Sequence, residues 1–149
     1  MESTGNTGAD AARGSNAPTV IVDGSNVAHS TEGQGPRLEN IRLVVDKLRD
    51  EGFEPIVVAD AALRHQIDDS SHYEDLVDQG VIKQAPAGTD ADYFILSFAR
   101  EFDADVVSND RYRDRQDSFP EVRERVIRFM IVNDEVVFER RQKRRRGQQ

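Results

Sequence analysis

Four aspartates, Asp23, Asp92, Asp110 and Asp114, are the residues of this sequence whose placement most needs a chemical reason. Asp23 closes the apolar run in "TVIVDGSNVAHS", and Asp110 follows a similar run in "ADVVSNDRYRD". Ending a buried strand on a carboxylate puts charge where desolvation costs most. Asp92 opens the helical pattern of "TDADYFILSFAREF", and Asp114 follows Asp110 by four residues, a spacing that shares one face if the turn is helical. Singly, each has a plain local explanation: an Asx turn for Asp23 or Asp110, complement to a helix dipole for Asp90 or Asp92. Gathered at one sheet edge they would repel. Two unit charges about 5 Å apart at an effective dielectric of about 20 cost roughly 3 kcal/mol. Such a cluster needs raised pKa values or bound cations, and all-oxygen donors favour Mg²⁺ or Mn²⁺ over zinc. A helix turns Asp90 and Asp92 apart, so Asp92 is the expected ligand and Asp90 a secondary candidate. Asn26 is a turn residue, or a side chain that holds Asp23 or a phosphate oxygen.

Positive charge is concentrated in two places. Arg111, Arg113 and Arg115 crowd the loop that carries Asp110 and Asp114, where they either pair with neighbouring acids or contact phosphate. The C-terminal "RRQKRRR", with Arg144 and Arg145, is the strongest basic run. It reads as a flexible, salt-sensitive anchor for a polyanion, or as a solvated tail. His29, His65 and His72 lack an HxxxH spacing and read as loop residues. Asp60, in "ADAALRH", reads as a cap for the helix that follows.

Alternating strands and helices would position these side chains. "PTVIVD", "PIVVAD", "VIKQAP" and "DVVSND" read as strands, the third short and peripheral. "RLENIRLVVDKLRDEG" carries Leu38, Ile41, Val44, Val45 and Leu48 on one helical face and stops at Gly52. "AALRHQID" and "YEDLVDQG" predict short helices. The helix after Thr89, its expected N-cap, turns Phe94, Ile95, Phe98 and Phe102 inward as core. "PEVRERVI" predicts a helix with Pro120 at its first helical position, and "RFMIVND" with "EVVFE" predicts a closing hairpin across Asn133 and Asp134. Repeated strand–helix–strand units imply a three-layer α/β/α domain around a mostly parallel sheet. Ligands of such sheets sit beyond the carboxyl ends of the strands, where Asp23, Asp60 and Asp110 fall.

The 149 residues suffice for one domain. Residues 1–17 are small and polar and read as a disordered leader, 18–138 as the domain, and 139–149 as a basic tail. With no cysteine, disulfides and thiolate chemistry are excluded. No run has the length or apolarity of a membrane span or signal peptide, so a cytoplasmic protein without membrane partners is expected. Twenty-eight acidic against twenty basic residues give a net charge of −8, which opposes attraction of the whole surface to nucleic acid. Arg outnumbers Lys and Asp outnumbers Glu, a halophile-like skew that a GC-rich genome would also favour.

"VIVDGSNVA", "TDADYFILSFA" and "VVSNDRYRD", in that order, resemble the NYN branch of the PIN-like nucleases, specifically the Regnase (MCPIP-type) ribonuclease domain. The likeness spans roughly residues 18 to 138. It implies a PIN-like fold and a metal-dependent endoribonuclease that acts on single-stranded RNA and leaves 5′-phosphate and 3′-hydroxyl ends. By the same resemblance Asp23, Asn26, Asp92, Asp110 and Asp114 are catalytic, and the four aspartates hold Mg²⁺ or Mn²⁺. Arg111, Arg113, Arg115, Arg144 and Arg145 are expected to meet RNA, and a homodimer is a further expectation. Two features depart from the family pattern. Ala91 separates Asp90 from Asp92 where the family usually has adjacent acids, and no cysteine exists to build the CCCH finger of the animal members. The first departure keeps open a non-catalytic RNA-binding or protein-interaction module. A nucleotide-binding doubly wound domain finds no support, because no Gly-rich phosphate loop follows a strand.

Overall fold

The computed structural model describes residues 17–139. The proposed leader and tail, with Arg144 and Arg145, lie outside them apart from one residue at each end. Five strands form a parallel sheet in the order β3-β2-β1-β4-β5. They are β1 (Thr19–Asp23), β2 (Glu54–Ala59), β3 (Ile82–Gln84), β4 (Asp105–Val107) and β5 (Val126–Ile127). Helices α1 (Gly24–Ala28), α2 (Leu38–Asp50), α3 (Leu63–Gln66), α4 (Ser70–Asp78), α5 (Ala91–Phe102) and α6 (Val122–Arg125) connect them. A hairpin, β6 (Phe129–Val132) and β7 (Glu135–Phe138), forms a separate two-stranded sheet.

Strand alternation divides the core in two. Val20, Val22, Val57, Ala59 and Val107 face α2 and the hairpin, together with Leu38, Ile41, Val44 and Val136. Ile21, Val58 and Val106 face the other way, against Ile95, Leu96 and Ala99 of α5 and Val122 of α6. Helices therefore cover both faces, and near-continuous Val/Ile strands follow from burial on both sides. The chain builds outward from β1 to β2 and β3, then crosses to β4 and β5. The reversal between β1 and β4 leaves a crevice at their carboxyl ends.

Several expectations need correction. Asp90, not Thr89, caps α5, its Oδ1 accepting the Tyr93 N–H at 3.3 Å; an ionised carboxylate is the better partner for the helix start. The buried stripe of α5 is Ile95, Leu96 and Ala99, with Phe94 and Phe98 half-buried and Phe102 exposed. Phe102 sits at the last turn, beyond the sheet's cover. The "PEVRERVI" helix is only α6, because Pro120 stands before its Glu121 N-cap and is not its first residue, and Val126 and Ile127 leave it to pair with Val106 and Val107 as β5. Two β-branched residues satisfy the free edge of β4 better as a strand than as a helical end. The hairpin turn does fall on Asn133 and Asp134, both at positive φ, which two Asx residues tolerate without glycine.

Candidate active site

The crevice between β1 and β4 is fixed first by close backbone approach. Gly24 opens α1 directly against β2, and a Cβ there would lie 2.9 Å from Val57 Cγ1 and 3.1 Å from the Val58 carbonyl oxygen. The absence of a side chain at Gly24 lets the start of α1 pack this close to β2. Buried Asn40 then ties α1 to α2, its amide donating to the carbonyls of Val27 and Ala28 at 3.3 and 3.2 Å. Ser25 donates to Asp60 Oδ2 at 3.2 Å, while Asp60 Oδ1 accepts the Leu63 N–H at 3.0 Å. Asp60 is not the N-cap of α3, which is Ala62, but it closes the turn leading into that helix and also holds α1 to β2.

Asp23 is the buried centre of the site, only 6% exposed. Its Oδ1 accepts the Asn26 N–H at 3.2 Å. Its Oδ2 accepts the hydroxyls of Ser108 at 3.1 Å and Tyr112 at 2.5 Å. Burial raises the pKa of Asp23 above its ordinary value; the three donors oppose the rise and the charge of Asp110 adds to it. Ser108 also accepts the Asp110 N–H at 3.0 Å, so one hydroxyl fixes the distance between the two acid-bearing segments. Asp110 lies three residues beyond the end of β4, in the loop, where its Oδ1 accepts the Tyr112 N–H at 2.7 Å. The Asx turn read from the sequence is real, and it aims Tyr112 back at Asp23.

Asp92 is pushed up to about 6 by partial burial, then by the charges of Asp23 and Asp110; Arg115 opposes the rise and Asp90 adds to it. The charges of Asp23 on β1 and Asp110 in the β4 loop thus both oppose ionisation of Asp92 on α5. Arg115 Nη2 pairs with Asp90 Oδ2 at 2.7 Å, and its Nε lies 3.9 Å from Asp92 Oδ2. Both oxygens of Asp90 are thereby engaged, by the cap and by Arg115. Arg115 meets the acids at the cleft, the first of the two roles its position in the loop suggested. Asn26 does not hold Asp23 through its side chain; its Oδ1 accepts the Asn109 N–H at 2.9 Å, joining α1 to the β4 loop. Asp114 is exposed on the 3₁₀ turn Arg113–Arg115, and it is not among the main charges acting on Asp23 or Asp92. Arg111 and Arg113 are exposed on either side of buried Tyr112. His29 is exposed after α1, its Nδ1 2.9 Å from the Ser25 carbonyl.

Among the described residues, no group of three or more His, Asp or Glu side chains is arranged to hold a metal ion as it stands. The donor chemistry nevertheless fits a hard cation, since a divalent charge relieves the like charge that Asp23 and Asp110 impose on Asp92. Sequence reasoning missed Gly24, Asn40, Ser108 and Tyr112. Tyr112 carried a usable signal, a lone aromatic in "DRYRD" that is poorly explained unless buried.

A parallel sheet with acids from β1, α5 and the loop after β4 at its β1–β4 reversal defines a PIN-like α/β domain. The chain belongs to the family of Zc3h12a-like ribonuclease NYN domains, whose model matches residues 16–149. It is similar to a solved structure of nuclear protein-only RNase P 2 (PRORP2) of Arabidopsis thaliana, at 20% identity and a TM-score of 0.67 over 93% of this chain and 33% of that one. A crystal structure of nuclear proteinaceous RNase P 2 from A. thaliana gives 19% identity and 0.66 over the same shares. At that identity the likeness is one of fold, and the chain spans about a third of the length of these two. Family membership supports an RNA-cleaving nuclease.

Proposed function

We propose that this protein is an endoribonuclease that hydrolyses phosphodiester bonds of single-stranded RNA with Mg²⁺ or Mn²⁺. The supporting observation is that carboxylate charge gathers at the β1–β4 crevice, where Asp110 acts on buried Asp23 and both act on Asp92. Asp23, Asp92 and Asp110 would hold the cation, with Asp114 assisting directly or through water. When bound, the ion supplies Lewis-acid polarisation of phosphate oxygens and a more acidic water. The chain's own residues do the rest. Tyr112 and Ser108 orient Asp23, Ser108 spaces Asp23 from Asp110, and Asp92 brings a carboxylate whose pKa burial and the neighbouring acids push up to about 6. The expected products carry 5′-phosphate and 3′-hydroxyl ends. The reading includes a cytoplasmic setting and a homodimer, to be checked by light scattering.

One observation favours a second reading, a non-catalytic RNA-binding module. Arg115 already brings a positive charge to Asp90 and Asp92, so the acids are partly neutralised within the chain. Labelled single-stranded RNA incubated with Mn²⁺, Mg²⁺ or EDTA separates the two. Divalent-dependent cleavage that Asp23→Asn abolishes supports the enzyme; RNA binding with no cleavage in either ion supports the module.

A further inference from the structure

Arg111, Arg113, Arg123 and Arg128 come from the β4 loop, α6 and the residue after β5, yet they converge. With Gln116, Val126 and Glu139 they line one hollow of about 540 Å³. Two structural features bring them together. Tyr112, buried at 1% exposure with a left-handed φ of 52°, roots the loop beneath Arg111 and Arg113. Pairing of β5 with β4 then carries Arg123 and Arg128 alongside that loop. Four guanidinium groups face a single carboxylate, Glu139, among the lining residues. Their mutual repulsion is relieved by an anion, and the planar forks suit phosphate oxygens. In a chain of net charge −8, a hollow of this sign marks a place where a polyanion can approach.

We propose that this hollow is a binding site for backbone phosphates of the RNA strand, on one side of the bond presented to Asp23, Asp92 and Asp110. The proposal rests on the ribonuclease reading for its substrate and adds Arg123, Arg128 and Gln116 to the surface that holds it. Tyr112 gives the link to the acid site, since the side chain that roots Arg111 and Arg113 donates its hydroxyl to Asp23. A strand seated in the hollow is therefore held at a set distance from the carboxylates. A free nucleotide offers the same phosphate chemistry, and the experiment distinguishes it.

The test is the double variant Arg123→Gln/Arg128→Gln, first in an Asp23→Asn background that prevents turnover. Binding of a labelled single-stranded RNA is measured across a salt series with Mn²⁺. Loss of two phosphate contacts raises Kd about tenfold and lowers the salt slope by about 1.4, at roughly 0.7 per phosphate on a single strand. In the active protein KM rises while kcat stays within about twofold, the pattern of lost uniform binding. Arg123→Lys/Arg128→Lys restores the salt slope and part of the affinity, which a folding defect would not do. Equal Kd and equal slopes in the wild-type and double-variant arms overturn the proposal. So does a hollow that takes AMP, read as a melting shift lost in the double variant, with RNA affinity unchanged. If neither ion supports cleavage while RNA binding still depends on the two arginines, the catalytic reading falls and the phosphate site stands.

Discussion

Tyr112 stands between two charged regions that carry their charge in opposite ways. On its inner side Asp23 is buried, and Asp92 is half-buried with its proton affinity raised to about 6. On its outer side Arg111, Arg113, Arg123 and Arg128 are exposed, so solvent and salt screen them. The acids are few and desolvated, and Asp23 is tied by three hydrogen bonds to a fixed position. The arginines are open and held mainly by the segments that carry them. Charge withdrawn from water interacts strongly with whatever neutralises it, whereas charge left in water attracts at longer range and yields to salt. The buried side is accordingly suited to chemistry and the exposed side to capture.

Removing the buried charge is the strongest way to break this contrast. Asp23→Asn is expected to lower kcat by roughly a thousandfold or more, as loss of a central catalytic group does, while RNA affinity in Mn²⁺ changes little. Its melting temperature without metal holds or rises, because an ionised carboxylate that burial opposes has been removed. Full activity in this variant would exclude Asp23 from the chemistry. The α5 acids divide the same way on a smaller scale. Asp92→Asn should approach the loss at Asp23, whereas Asp90→Asn keeps a competent helix cap and retains measurable cleavage. Equal losses in the two assays would mean that both acids share the ion.

Tyr112→Phe sharpens the comparison by cutting the bond between its two sides. The ring still fills its buried place, but Asp23 loses a donor that holds its pKa down. We expect kcat to fall about tenfold, in line with one lost hydrogen bond to a charged group, with KM steady. A rise in KM alone would show that Tyr112 serves only the arginine side. Arg115→Gln removes the internal positive charge beside Asp92, and Mn²⁺ should then bind several-fold more tightly by calorimetry. Weaker binding would make Arg115 a residue that aligns Asp92 instead of one that competes with the ion.

The smallest effect is on stability against pH in EDTA. Asp92 has a folded pKa near 6 against an ordinary value of 3.8, so the folded state binds its proton more tightly than the unfolded state does. Its contribution is fully present below about 3.8 and is lost as pH rises through 6; Asp23 acts in the same direction. Asp92→Asn should flatten the fall in melting temperature across that window. Superimposable wild-type and variant curves would show that Asp92 ionises freely.

Much of this organisation follows from the order of residue types along the chain. Alternating apolar strands, the apolar face of residues 38–50 and the three acid-bearing motifs determine a parallel sheet with carboxylates beyond its strands' carboxyl ends, because strand and helix periodicities are local properties. That β4 stops at Val107 and leaves Asp110 in a loop was not legible. The short β5 was not legible there. Val126 and Ile127 follow a helical run, and only the free edge of β4 makes them a strand. The roles of the charged side chains divide likewise. Asp90, Asp92 and Arg115 are neighbours only after α5 packs beside the β4 loop, so pairing and capping could not be told apart from ligation along the chain. Asn26 reaches Asn109 across 83 positions and Tyr112 reaches Asp23 across 89. Hydrogen bonds of that span depend on how two segments pack, and no periodicity encodes them. Residue types and their spacing determined which groups could do chemistry; tertiary packing alone decided which of them are buried, partnered and held in place.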